Sequence, residues 1–93
     1  MIDVQQTSTD DPLQFTVVVR EDAGETTHRV TMSAALFRKL ARGRVSEAGF
    51  VQAAFRFLLE REPKESILRS FDVTVISRYF PEFERAIGSY LDK

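Results

Sequence analysis

The stretch that decides the fold is SEAGFVQAAFRFLLER, residues 46–61. Its first residue, Ser46, is of a type that caps the N-terminus of a helix. Gln52, Arg56 and Glu60 recur at every fourth position and form one narrow polar line, whereas nearly every other residue is apolar. A helix that is apolar around most of its circumference is buried on several sides. The stretch therefore predicts a central helix, covered by a hairpin, by later helices or by a second subunit.

Two β-prone runs precede this helix. LQFTVVVR and THRVTM are rich in β-branched and aromatic residues, and the segment between them contains Gly24. Such runs around a glycine-containing loop predict an antiparallel β-hairpin, with strands over 13–20 and 26–32. One face of the first strand is apolar, formed by Phe15, Val17 and Val19. Because a lone hairpin is marginally stable in water, this face needs helices to cover it.

Helical signals occupy the rest of the chain. Ser33 is suited to cap the helix AALFRKLAR, and Pro63 is suited to begin a short helix over about 63–70 that buries Ile67, Leu68 and Phe71. A last helix is expected after Pro81. The sequence does not decide whether residues 73–80 form a helix or a strand. Their β-branched side chains favour a strand, whereas the spacing of their apolar residues favours a helix.

These elements predict an α+β fold, an N-terminal antiparallel β-hairpin packed on a bundle of four to five α-helices. The polar residues 1–12 are expected to be a flexible tail. Residues 13–93 are expected to be a single domain, with the hairpin over 13–32 and the helices over 33–92.

The composition argues against an enzyme. The sequence has no cysteine and one histidine, His28, so it lacks the ligands of an ordinary zinc site. Carboxylates gather in EREPKE, residues 60–65, but Arg61 and Lys64 neutralise them. We interpret that charged corner as the junction of two helices, with Glu62 and Glu65 at a helix start. We expect no catalytic, metal-binding or cofactor-binding residues and no cofactor.

The same composition bears on location. The N-terminus lacks the basic start and apolar core of a signal peptide, and no apolar run is long enough to span a bilayer. Without cysteines nothing indicates an oxidising compartment. We therefore expect a cytoplasmic protein that does not enter a membrane.

A basic cluster is a candidate surface for binding. Residues 33–61 carry six Lys or Arg against two Glu, and within them RKLARGR forms a basic cluster of Arg38, Lys39, Arg42 and Arg44. This cluster complements a helix C-terminus and could equally contact an anion or a partner protein. In RYFPEF, aromatic residues flank Pro81. We expect most of this cluster to be core, with Tyr79 the residue that reaches the surface; the alternative is an exposed apolar patch for a partner.

One stretch resembles a known DNA-binding unit. The strand HRVTM, the helix SAALFRKLAR, the turn GRV and the helix of residues 46–61 follow the element order of the ribbon-helix-helix family. The resemblance covers residues 27–61 and implies a homodimer whose paired strands lie in the major groove. It also implies that Thr27, Arg29 and Thr31 contact bases, with the basic cluster on phosphates.

A second resemblance covers more of residues 50–84. The segments FVQAAFRFLLEREPKESIL and FDVTVISRYFPEFE are similar to the core of small bacterial proteins of uncharacterised function. That resemblance implies a cytoplasmic bacterial protein and brings no known activity, cofactor or site.

We therefore expect a small non-enzymatic binding or regulatory module that acts through protein–protein contact, at the basic cluster or the charged corner. The alternative is a DNA-binding transcriptional regulator or antitoxin of ribbon-helix-helix type. The sequence leaves open the identity of the partner, the oligomeric state, any small ligand and whether the basic cluster binds phosphate.

Overall fold

A mixed β-sheet forms one layer of the molecule. The computed structural model describes residues 1–91 of the 93-residue chain. Within them the sheet order is β1-β2-β3-β4. The first three strands pair antiparallel, and β4 pairs parallel with β3. The strands are β1 Ile2–Ser8, β2 Leu13–Glu21, β3 Gly24–Met32 and β4 Ser70–Asp72.

Helices cover one face of this sheet. They are α1 Ala34–Ala41, α2 Glu47–Leu59, α3 Thr74–Tyr79, α4 Phe83–Ala86 and α5 Gly88–Leu91, with a single 3₁₀ turn at Lys64–Ser66. The predicted caps are confirmed: the Oγ of Ser33 accepts from the N–H of Leu36, and the Oγ of Ser46 accepts from the N–H of Gly49. Across residues 1–91, no helix has the length and apolar character that crossing a membrane requires.

The predicted architecture is wrong in its details, although the α+β class is correct. The hairpin over β2 and β3 exists, but it is the middle of a four-stranded sheet and does not lie alone on a bundle of four to five helices. The expected tail, residues 1–12, contains β1. The helix expected over 63–70 is only the 3₁₀ turn, after which the chain extends into β4. The helix within 73–80 is α3, and the predicted end of the last helix at residue 92 lies outside the described residues.

The strand β1 escapes prediction because one of its inward positions is polar. Ile2, Val4 and Gln6 point towards the helices and are half-buried, and the residues between them are exposed. Gln6 is tolerated there because its Nε2 donates to Oε1 of Glu47 at the start of α2, at 2.7 Å. The strand is also held by Gln52 of α2, whose Nε2 donates to the carbonyl oxygen of Ile2 at 3.3 Å.

The core lies between α2 and the inner face of the sheet. α2 buries residues around most of its surface, as its sequence predicts: Phe50, Val51, Ala53, Ala54, Phe55, Phe57 and Leu58. Phe57 is fully buried and makes edge-to-face contacts with Phe80, Phe83 and Tyr90, at ring-centroid distances of 5.9, 5.0 and 5.7 Å. The C-terminal helices thus cover the side of α2 that the sheet leaves open.

His28 is fully buried on the inner face of β3. Its Nδ1 lies 2.8 Å from the carbonyl oxygen of Leu68 and its Nε2 lies 2.8 Å from Oγ1 of Thr26. Because a carbonyl oxygen only accepts, Nδ1 carries the proton, and in the neutral ring Nε2 accepts from the threonine hydroxyl. Its ring also packs on Phe55, with centroids 5.3 Å apart. His28 is therefore a structural link between the sheet and the segment that follows the 3₁₀ turn.

The burial of His28 predicts a pH-dependent stability. Burial lowers the pKa of His28 below its ordinary value of 6.5, a shift reinforced by the charge of Arg69 and opposed by the bond to Leu68. The unfolded chain then binds a proton at a higher pH than the folded protein does. The stabilisation is complete above pH 6.5, and we expect it to be lost as the pH falls below that value, by up to about 1.4 kcal/mol per pH unit.

Denaturant unfolding of the protein and of His28→Gln across this range checks this expectation, since the extra pH dependence should be absent from the variant. Because His28 is the single histidine, its ring resonances give a second reading in the folded wild-type protein. A His28 ring that titrates at its ordinary pKa or above would contradict this expectation.

Candidate functional site

An apolar groove lies where α2 ends, between the segment before β4 and α3. Its volume is about 200 Å³, and its lining includes Leu58, Glu62, Leu68, Phe71, Val75 and Tyr79. Ser66, Ile67, Ile76 and Phe80 complete the walls. We call it the Leu68–Tyr79 groove, because these two are the large exposed hydrophobic side chains of its lining.

The exposure of Leu68 follows from the extended backbone. In an extended segment successive side chains point in opposite directions. Ile67 turns inward and is 4% exposed, so its neighbour Leu68 turns outward and is 47% exposed. The bond from His28 to the carbonyl oxygen of Leu68 fixes this arrangement. The prediction that Leu68 is a buried helical contact is therefore wrong.

The exposure of Tyr79 follows from its place on α3. Ile76 is the buried residue of that helix, and Tyr79 stands one turn later at the helix end, 67% exposed. The start of α3 is fixed by Asp72, whose Oδ2 accepts from the N–H of Thr74 at 3.1 Å. The expectation that Tyr79 reaches the surface is confirmed, whereas Phe83 of the same aromatic motif is in the core.

Most side chains of the charged corner, residues 60–65, make stabilising contacts within the protein. Glu60 accepts from the hydroxyl of Tyr90 at 2.6 Å, and Arg61 pairs with Glu82 at 3.2 Å while its guanidinium lies over the ring of Phe57. These contacts attach the C-terminal helices to the end of α2.

Lys64 belongs to the same corner and has a buried side chain. Its ammonium is 2.9 Å from Glu65, and this bond, with the nearby charges of Glu21 and Asp22, raises the pKa of Lys64. A Cβ built on Gly24 would lie 3.8 Å from its Nζ, so the ammonium sits against the turn between β2 and β3. Lys64 therefore fastens the corner to the hairpin.

Glu62 differs from its neighbours in the corner. It is half-buried and lines the Leu68–Tyr79 groove. Because only a 3₁₀ turn follows it, Glu62 does not stand at the start of a helix as the sequence predicts. Its backbone N–H donates to the carbonyl oxygen of Leu58, which continues the last turn of α2 and positions the side chain at the groove.

Two side chains of the basic cluster make contacts within the protein. Lys39 pairs with Glu84 at 3.4 Å, and the guanidinium of Arg44 donates to the carbonyl oxygen of Gly88 at 3.1 Å. These contacts join α1 and the turn after it to α4 and α5. The side chains of Arg38 and Arg42 are exposed.

The residues expected to read DNA lie on the outer face of the sheet, away from the helices. Thr27 and Arg29 are exposed, and Thr31 donates to Oδ1 of Asp72 at 2.6 Å. At Arg29 the strand β3 pairs with β2 on one edge and with β4 on the other. Pairing of this strand with a second subunit, as in a ribbon-helix-helix dimer, would displace one of these neighbours.

Comparison with known proteins adds no identification. No protein-family model, curated protein or solved structure matches the chain. The resemblances to the ribbon-helix-helix family and to small bacterial proteins therefore stay predictions. Within residues 1–91, no three acidic, histidine or cysteine side chains lie close enough together to hold a metal ion.

The exposure of each residue in the groove predicts how much that residue contributes to the stability of the fold. Leu68→Ser and Tyr79→Ser should each change the free energy of unfolding by no more than about 1 kcal/mol, because these side chains are 47% and 67% exposed. The matched variants Ile67→Ser and Ile76→Ser should each cost about 2–4 kcal/mol, because those side chains are buried. Denaturant unfolding measures all four. Equal losses within a pair would show that the exposed residue is part of the core.

Proposed function

We propose that this protein is a small, non-enzymatic binding module that holds a segment of another protein in the Leu68–Tyr79 groove. The observation that carries the proposal is the distribution of exposed apolar residues. Among residues 1–91 the large exposed hydrophobic side chains are Met1, Leu68 and Tyr79. Two of these three line one groove, and exposed apolar surface that is concentrated in this way is typical of an interaction site.

The size of the groove favours a protein partner over a small molecule. Pockets for drug-sized ligands and cofactors have volumes of about 300–1,000 Å³ and bury most of the ligand. The Leu68–Tyr79 groove has a volume of about 200 Å³. That space suits one or two apolar side chains of a peptide segment, which is how protein segments anchor in grooves.

The chemistry of the lining favours binding over catalysis. The ionisable residues that line the groove are Glu62 and Tyr79. General acid–base catalysis needs two titrating groups in contrasting environments around the substrate. One carboxylate beside an exposed tyrosine offers a charge and a hydrogen bond for recognition.

We also propose a cytoplasmic location, because the sequence contains no cysteine that an oxidising compartment would pair.

Site-specific photocrosslinking in the native host tests this function. We expect Tyr79→p-benzoylphenylalanine to crosslink a discrete protein partner, and we expect the added change Leu68→Ser to abolish that product. The matched control is Arg29→p-benzoylphenylalanine on the outer face of the sheet. Crosslinking that is equal at positions 79 and 29, or that does not depend on Leu68, would overturn the proposal.

The alternative function, DNA binding through Thr27, Arg29 and Thr31, rests on the outward position of these residues. It requires a strand with a free edge or a different mode of docking, and it has less support than the groove. A duplex-binding assay separates the two functions. A DNA-binding protein should bind at about 50 mM salt and weaken steeply as the salt concentration rises.

A further inference from the structure

Glu62 is the charged residue that lines the Leu68–Tyr79 groove. It follows α2 by less than one turn, and its position is fixed by the bond from its backbone N–H to the carbonyl oxygen of Leu58, at 2.9 Å. The side chain is half-buried among apolar neighbours such as Leu58 and Phe71. A carboxylate is thus presented at a surface that is otherwise suited to apolar contacts.

The neighbouring charged side chains of the corner already have partners within the protein. Glu60 binds the Tyr90 hydroxyl, Arg61 binds Glu82, and Lys64 binds Glu65. Within residues 1–91, Glu62 has no side-chain hydrogen bond or ion pair. The fold therefore satisfies the surrounding charges and leaves the carboxylate at the groove available to a partner.

This arrangement selects the charge of the occupant. An apolar segment that fills the groove removes water from around Glu62, and burying an unpaired carboxylate is costly. A segment that places a basic side chain beside its apolar anchor replaces the lost water with an ion pair. A segment with an acidic side chain at that place adds repulsion, so the groove discriminates against it.

We infer that the segment held in the Leu68–Tyr79 groove carries a lysine or arginine beside its apolar anchor, and that this base pairs with Glu62. The inference rests on the proposed function, because it names the chemistry of the partner at the same groove. It assigns the apolar lining to affinity and Glu62 to specificity.

Selection from a random peptide library tests the inference and does not require the natural partner to be identified. The library is panned on the wild-type protein, on Glu62→Gln, on Leu68→Ser and on Glu84→Gln, which removes one negative charge away from the groove. The wild type and Glu84→Gln should both enrich peptides with an apolar anchor and an adjacent Lys or Arg. Glu62→Gln should keep the anchor and lose the preference for a base.

The affinities of the selected peptides measure how much Glu62 contributes to binding. A peptide selected on the wild type should bind Glu62→Gln about two- to fivefold more weakly, as expected for a partly exposed ion pair. The difference should shrink as the salt concentration rises. Binding to Glu84→Gln should be unchanged.

The outcomes separate the inference from the proposed function. Apolar peptides without an excess of Lys or Arg, enriched equally on the wild type and Glu62→Gln, would overturn the inference and leave the function standing. Selection that is indifferent to Leu68→Ser would overturn both. Sedimentation of the wild type as a dimer that Leu68→Ser converts to a monomer would assign the groove to a second copy of the chain, which also overturns the inference.

Discussion

The structure depends on the need to cover α2 on several sides. Its sequence is apolar around most of the helix, and a helix of that kind is stable only when other elements exclude water from it. The sheet covers one side and the C-terminal helices cover another. Phe57 shows the result, because its ring meets three aromatic rings that come from residues 80–90. The short α3, α4 and α5 are held by this packing, since helices of their length are marginal alone.

The narrow polar line on α2 serves the same requirement. Gln52 donates to the backbone of β1, Arg56 donates to the carbonyl oxygen of Tyr90, and Glu60 accepts from the hydroxyl of Tyr90. Each of these polar residues thus joins α2 to an element at the border of the core. The polar line therefore lies where α2 meets β1 on one side and the C-terminal helices on the other.

The groove arises where this covering of α2 stops. After α2 ends, the chain makes one 3₁₀ turn and extends into β4, and α3 returns beside it. Between these pieces the walls include Leu58, Ile67 and Ile76, whose side chains belong to the core, while Leu68 and Tyr79 face solvent. The proposed binding surface is therefore an extension of the core that is left open at one end, which explains why its lining is apolar.

Much of this could be predicted from local sequence, and the rest depends on distant contacts. The caps at Ser33 and Ser46, the hairpin and the buried face of α2 follow from residue type and spacing. β1 could not be recognised because Gln6 interrupts its apolar alternation, and only a contact with Glu47 of α2 satisfies that side chain.

β4 has three residues and exists because it pairs with β3, about forty residues earlier in the chain. The same pairing extends the backbone at Leu68, so an extended segment forms where the local sequence predicts a short helix. The aromatic motif identifies Tyr79 as a surface residue, but no local pattern identifies Leu68 or Glu62. Their positions follow from the bond between His28 and the backbone of Leu68 and from the early end of α2.

We propose that the Leu68–Tyr79 groove is the surface on which this protein binds its partner. Titration of isotope-labelled protein with a small apolar probe, such as tert-butanol, tests it most directly, because nuclear magnetic resonance locates the contacts residue by residue. We expect the changes in chemical shift to concentrate at Leu68, Val75 and Tyr79. Shifts that are spread evenly, or that concentrate on the outer face of the sheet around Thr16 and Arg29, would contradict it.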